Sequence, residues 1–181
     1  MHGNLSMNDL ELGPFHDSSV GRPGEIQGVL VRTLEEHIDN RGRVFEFFSG
    51  ESDFWDQPIA WGHCFTILPG VIKGWGVHLQ RQDRYCLIDG KVMTVLFDSR
   101  KHSPSFGVIQ EVVLEVGQNR QIRIPNGVWH LNVNLSSRES FLIDLPSHQY
   151  RHANPDKQTL PWDTDKIPYR LRDDLLGQPL G

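Results

Sequence analysis

Between residues 26 and 145 the chain alternates short β-rich runs with turn signals, and that punctuation excludes most architectures. Gln121-Ile122-Arg123-Ile124 alternates polar and apolar, as a half-buried strand does. Val92-Met93-Thr94-Val95-Leu96-Phe97 and Val112-Val113-Leu114-Glu115-Val116 are rich in β-branched and large apolar residues. Asp89-Gly90, Gly117-Gln118-Asn119 and Pro125-Asn126-Gly127 supply the turns. Many short strands with little helical periodicity predict an all-β antiparallel barrel or sandwich. A jelly roll hides most sheet edges and leaves an open-mouthed interior. Residues 1–25 lack periodicity and read as a flexible arm, residues 26–155 as the barrel, and residues 156–181 as a tail packing on it. A short helical segment is expected near residues 170–176.

The length of 181 residues suits one domain. With 38% hydrophobic and 23% charged residues, and no apolar run of membrane-spanning length, the chain reads as soluble with no membrane partner. A formal charge of -5 argues against nucleic-acid binding, which needs a basic footprint. Cys64 and Cys86 make no disulfide framework and read as free thiols. The N-terminus lacks a signal-peptide pattern, so a cytoplasmic location is expected.

Two segments carry the candidate chemistry. The first runs from Gly70 through His78 and Asp83 to Gly90; the second is Pro125-Asn126-Gly127-Val128-Trp129-His130, followed by Asn134. Two imidazoles and a carboxylate form a common ligand set for iron(II), zinc or manganese. The spacing resembles the two motifs of the cupin barrels, in which both segments line one pocket. Where that pattern has His-x-His, this chain has Gly76-Val77-His78. One imidazole is missing, so no cofactor is favoured. The alternative is one divalent transition metal ion on His78, Asp83 and His130.

Other segments narrow the resemblance. These are Asp39-Asn40-Arg41-Gly42 with Glu46, Gly70-Val71-Ile72-Lys73-Gly74, Phe97-Asp98-Ser99-Arg100, Ser103-Pro104-Ser105-Phe106-Gly107, Ile124-Pro125-Asn126-Gly127, and Trp162-Asp163. Together and in order they resemble the dTDP-4-dehydrorhamnose 3,5-epimerase family, over about residues 30–169. The resemblance implies a cupin jelly roll, a homodimer with N-terminal strands packed across its interface, and a nucleotide-linked deoxysugar as ligand. It implies no metal requirement.

The family's reaction uses a histidine base, a lysine to stabilise an enolate, and a tyrosine acid. An ungapped alignment places these roles on Gly76, Asp83 and Ile143, where none can be performed. His78 shares the strand face of Gly76 but lies about 7 Å further on, at roughly 3.3 Å per residue. It is nevertheless the leading candidate base, with His130 beside it and Asp163 to orient it. Gln80, two residues after His78, joins the expected substrate contacts. Arg41 and Lys73 are candidates for the diphosphate, and Trp75 and Trp129 for stacking, although both indoles also suit core packing. His63 reads as a structural histidine. The leading function is an epimerase-like isomerase acting on a dTDP-4-keto-6-deoxyhexose. The alternatives are a metal-dependent cupin enzyme and a non-catalytic sugar-binding protein.

Overall fold

The computed structural model describes residues 4–50 and 52–175. Its strands are β1 (Arg22–Pro23), β2 (Leu30–Thr33), β3 (Glu36–Asp39), β4 (Gly42–Phe45), β5 (His63–Ile67), β6 (Ile72–Val77) and β7 (Asp83–Asp89). They continue with β8 (Lys91–Asp98), β9 (Val108–Glu115), β10 (Arg120–Ile124), β11 (Val128–Asn134), β12 (Ser140–Asp144) and β13 (Gln158–Thr159). One sheet has the order β1-β9-β8-β11-β6-β13, the facing sheet β2-β10-β7-β12-β5, and β3 with β4 forms a separate hairpin. Every pairing is antiparallel except β1 on β9. This is the expected jelly-roll barrel.

Period-two alternation divides the apolar residues into two layers. Val92 and Leu96 of β8, Leu114 of β9, Ile122 of β10 and Leu142 of β12 fill the space between the sheets. Met93, Val95 and Phe97 of β8, with Leu131 and Val133 of β11, point to the outer face of the six-stranded sheet. That face is not left wet, which is why β11 is buried along its whole length. Leu10 from the N-terminal segment and Ile167 and Leu171 from the tail cover it.

The N-terminal segment touches this face at a few points, with Leu10 buried and most of residues 4–25 exposed. Leu10 bridges Arg100, the Glu11 amide donates to the Ser99 carbonyl at 2.8 Å, and the Gly13 amide donates to the Lys166 carbonyl at 2.8 Å. The expected C-terminal helix is a single 3-10 turn, Asp173–Leu175; Leu176 lies outside the described residues. Trp75 and Trp129 belong to the outer layer, each about 1% exposed. Alternation sets both indoles in this outer layer, where the Trp75 Nε1 donates to the Trp162 carbonyl at 3.2 Å, and Trp75 also contributes to the lining of the cavity between the sheets.

Two sequence motifs acquire a structural explanation. Gly90 joins β7 to β8 at a φ of 93°, and a Cβ there would lie 2.2 Å from the Ser140 hydroxyl. Asp98 ends β8 fully buried and organises the loop that follows. Its carboxylate accepts from the Arg100 Nε at 2.8 Å and from the Ser103 and Ser105 hydroxyls at 2.6 Å each. Burial works against this charge, but the Arg100 and serine hydrogen bonds outweigh it and hold the carboxyl below its ordinary range.

Candidate active site

At one end of the barrel the apolar interior gives way to polar side chains around a cavity of about 320 Å³. Lys73, Gly74, Gly76 and His78 come from β6 and the residues just after it, and His130 and Asn132 from β11. The opposite wall carries His63 and Phe65 of β5, Tyr85 of β7 and Asp144 of β12. Lys157 and Thr159 from the tail close one side.

The vacant position 76 is not empty space. Gly76 lies directly opposite His130 in the β6–β11 ladder. A Cβ on Gly76 would sit 3.3 Å from the Lys157 Cε and 3.4 Å from the His130 Nε2. An imidazole from β11 and a lysine from the tail therefore occupy the room that a side chain on β6 would need.

The two central histidines differ in what their nitrogens are free to do. His78 Nδ1 meets the Asp156 backbone carbonyl, and His78 Nε2 lies 2.9 Å from the Arg81 Nη2. A carbonyl only accepts and a guanidinium only donates, so these partners assign the proton to Nδ1 and engage the Nε2 lone pair. His130 Nδ1 faces the Val128 carbonyl at 3.4 Å, which leaves its Nε2 lone pair directed at the cavity. Burial pushes the His130 imidazole down to about 4, against the opposing pull of Asp83, so it is a neutral base at pH 7. The two rings lie 5.6 Å apart.

Asp83 sits beneath them, with its Oδ2 3.4 Å from the His78 Nε2 and 3.7 Å from the His130 Nε2. Its Oδ1 lies 3.0 Å from the Arg81 Nε, an ion pair without a well-directed hydrogen bond. Burial opposes the Asp83 charge, but its interactions with the neighbouring His78, Arg81 and His130 prevail and lower its pKa. Asp144, almost fully buried on the adjacent strand, moves the other way. Burial and the nearby Asp83 charge push its carboxyl well above the ordinary range, so Asp144 keeps the proton. The Tyr85 hydroxyl lies 3.5 Å from the Asp83 Oδ2, and burial likewise keeps it protonated.

His78, Asp83 and His130 bring one ligand atom each within 4.8 Å of one another, compact enough for a metal ion. The surroundings do not fit one. The His78 lone pair is taken by Arg81, and the guanidinium already balances Asp83. A dication would have to displace or face that fixed positive charge.

Other expectations divide. Lys73 lines the cavity, whereas Gln80 faces a different surface beside Tyr150 and Arg151. Asp163 is exposed in a turn, and the orienting contact to His78 comes from the Asp156 carbonyl instead. Arg41 stands at the tip of the β3–β4 hairpin, its side chain 85% exposed and paired with Asp39, away from this cavity. His63 does face the cavity, its ring stacked on Trp61 at 4.5 Å and its Nε2 3.9 Å from the Asp144 Oδ2. Ile143 does not line the cavity; strand alternation gives that place to Asp144.

Arg81, Tyr85, Asp144 and Lys157 escaped the sequence reading. Tyr85 was detectable, being two residues from Asp83 on one strand face. Lys157 carries no local signal, because it lies 80 residues beyond Val77, the last residue of β6.

Comparisons with known proteins agree with this architecture. Agl13 of Haloferax volcanii, named a probable low-salt glycan biosynthesis epimerase, is 30% identical over 139 residues, covering 76% of this chain and 89% of the relative. The spore coat polysaccharide biosynthesis protein SpsL of Bacillus subtilis is 27% identical over 144 residues, covering 78% and 93%. A dTDP sugar isomerase from Desulfovibrio desulfuricans shares the fold at a TM-score of 0.74 and 22% identity, covering 80% of this chain and 91% of that one. A double mutant of ChmJ, a 3'-monoepimerase from Streptomyces bikiniensis solved with dTDP, shares it at a TM-score of 0.73 and 24% identity, covering 84% and 79%. The family profile of dTDP-4-dehydrorhamnose 3,5-epimerase matches residues 23–174. With that match spanning the barrel and both walls of the cavity, the chain belongs to the dTDP-4-dehydrorhamnose 3,5-epimerase family.

Proposed function

We propose that the protein is an epimerase-type isomerase of a 4-keto-6-deoxyhexose carried on a nucleoside diphosphate, with dTDP as the nucleotide to test first. The observation that carries this reading is the His130 Nε2 standing in the space above Gly76. It supplies a neutral imidazole at the position from which the resemblance expects one. The reaction requires removal of a proton beside a ketone and its return on the opposite face. His130 takes the proton on the β6–β11 wall. Asp144 and Tyr85, both protonated, stand on the facing wall and are the candidates to return one. His78, held by Arg81 and Asp156, stacks beside the base at 5.6 Å rather than acting as one.

Solvent deuterium uptake tests this directly. With dTDP-4-keto-6-deoxyglucose in deuterium oxide, proton NMR is expected to show protein-accelerated exchange at C3 or C5. Binding of the nucleotide sugar without accelerated exchange would favour the sugar-binding alternative. Absence of both would remove the proposal.

The same reading includes a homodimer. Among the described residues the β3–β4 hairpin pairs only with itself and leaves Ile38 73% and Val44 68% exposed. A second copy covering these residues would carry the hairpin tip, with Arg41, towards a neighbouring cavity and its diphosphate. Sedimentation is expected to give a dimer, Val44→Asp to shift it to monomer, and Arg41→Ala to weaken dTDP binding about tenfold at intact dimerisation. A wild-type monomer would exclude this arrangement. Among the described residues no helix is long and apolar enough to cross a membrane. A cytoplasmic location is part of the proposal and accords with the free Cys64 and Cys86.

A further inference from the structure

The family reaction leaves an enolate oxygen that needs a cation, and the position expected to supply one holds Asp83. The cavity contains three cationic side chains. Arg81 is spent on Asp83 and His78. Lys73 lies near the rim, its Nζ 3.3 Å from the Thr66 carbonyl. Lys157 has no hydrogen bond or ion pair to a protein group among the described residues, yet its chain runs across Gly76 beside the His130 base.

Its placement is fixed from both sides. Just before it, the Asp156 carboxylate accepts the backbone amides of Leu79 at 2.9 Å, Gln80 at 3.0 Å and Arg81 at 3.1 Å. Just after it, β13 pairs with β6, Gln158 opposite Val77 and Thr159 opposite Gly76. The tail is thus stitched to the cavity wall on each side of residue 157. Glycine at 76 is what leaves room, since any Cβ there would press on the Lys157 Cε at 3.3 Å.

We propose that Lys157, delivered by the C-terminal tail, is the enolate-stabilising cation of this site, replacing the one lost at position 83. The inference rests on the epimerase reading and names a catalytic residue within it. In the step, the His130 Nε2 takes the proton from the carbon beside the ketone. The C–H electron pair becomes the C=C bond, the carbonyl π pair moves to oxygen, and the Lys157 ammonium meets the resulting oxyanion. Return of a proton to carbon restores the ketone, so no co-reactant is consumed.

Lys157→Met is expected to slow deuterium exchange by about 10²–10³-fold, the usual cost of losing one oxyanion partner. Affinity for the dTDP-sugar should change little, because the oxyanion exists only after proton removal. A further readout separates chemistry from structure. Lys157 is an exposed residue, but partial desolvation on the cavity side lowers its pKa, against the attraction of Asp83 and with Arg81 and Lys73 adding to the depression. The wild-type rate should therefore fall on the alkaline side as the ammonium deprotonates, and that limb should vanish in Lys157→Met. Added ethylamine should partly restore Lys157→Ala. Exchange within threefold of wild type in Lys157→Met would overturn the proposal. So would an equal loss of rate and dTDP-sugar affinity, which would make Lys157 a binding group. If wild-type protein exchanges nothing, the epimerase reading itself falls and this inference with it.

Discussion

His130→Asn is expected to reduce exchange at C3 or C5 by about 10³-fold, within the usual 10²–10⁴ range for a lost general base. His78→Gln should cost only about tenfold. The contrast follows from lone pairs. The His130 Nε2 is directed at the cavity, while the His78 Nε2 already accepts from Arg81. A larger loss in His78→Gln than in His130→Asn would reverse the assignment. The pH profile gives a second check. With the His130 imidazole pushed to about 4, the acid limb of kcat/KM should lie near pH 4 rather than near the ordinary 6.5. Stability has the same sign. The unfolded imidazole takes up a proton below about 6.5 and the folded one only near 4, so this group's contribution is lost as pH falls through that interval.

Asp98→Ala is expected to destabilise the fold by about 3 kcal/mol, through loss of a buried, multiply bonded carboxylate and the stranding of its partners. For a chain of this size that is a fall of about 6–12 °C in Tm. The Arg100 guanidinium and the Ser103 and Ser105 hydroxyls would lose their common acceptor, and Ser105 also holds the Gln27 amide at 2.8 Å. Because the folded carboxyl titrates below the ordinary 3.8, its stabilisation is present above that value and lost as pH drops through the folded pKa. Calorimetry at neutral pH and at pH 3 checks both parts. A Tm change under 2 °C would show that the loop holds without it.

These two sites illustrate different degrees of legibility. The segments Phe97-Asp98-Ser99-Arg100 and Ser103-Pro104-Ser105 stood out in the sequence as motifs, but that Asp98 is buried and caged by partners within seven residues became visible only in the structure. The strands were readable: turns at Asp89-Gly90 and Pro125-Asn126-Gly127 and alternation in β10 are short-range signals. Trp75 and Trp129 were open to both stacking and core packing, because an indole beside a pocket motif reads alike whether it faces in or out. Only the cover from Leu10, Ile167 and Leu171 made their outer face a second core.

The sequence by itself determined the jelly-roll barrel, the family, and the gathering of His78, Asp83 and His130 in one place, since period-two alternation and motif spacing are local and survive in one dimension. The tertiary structure alone decided that Arg81 engages the His78 ring, that Lys157 reaches the cavity, and what lies against Gly76. Those answers depend on the register that sets His130 against Gly76 and on a tail residue, Lys157, whose distance along the chain bears no relation to its distance in space.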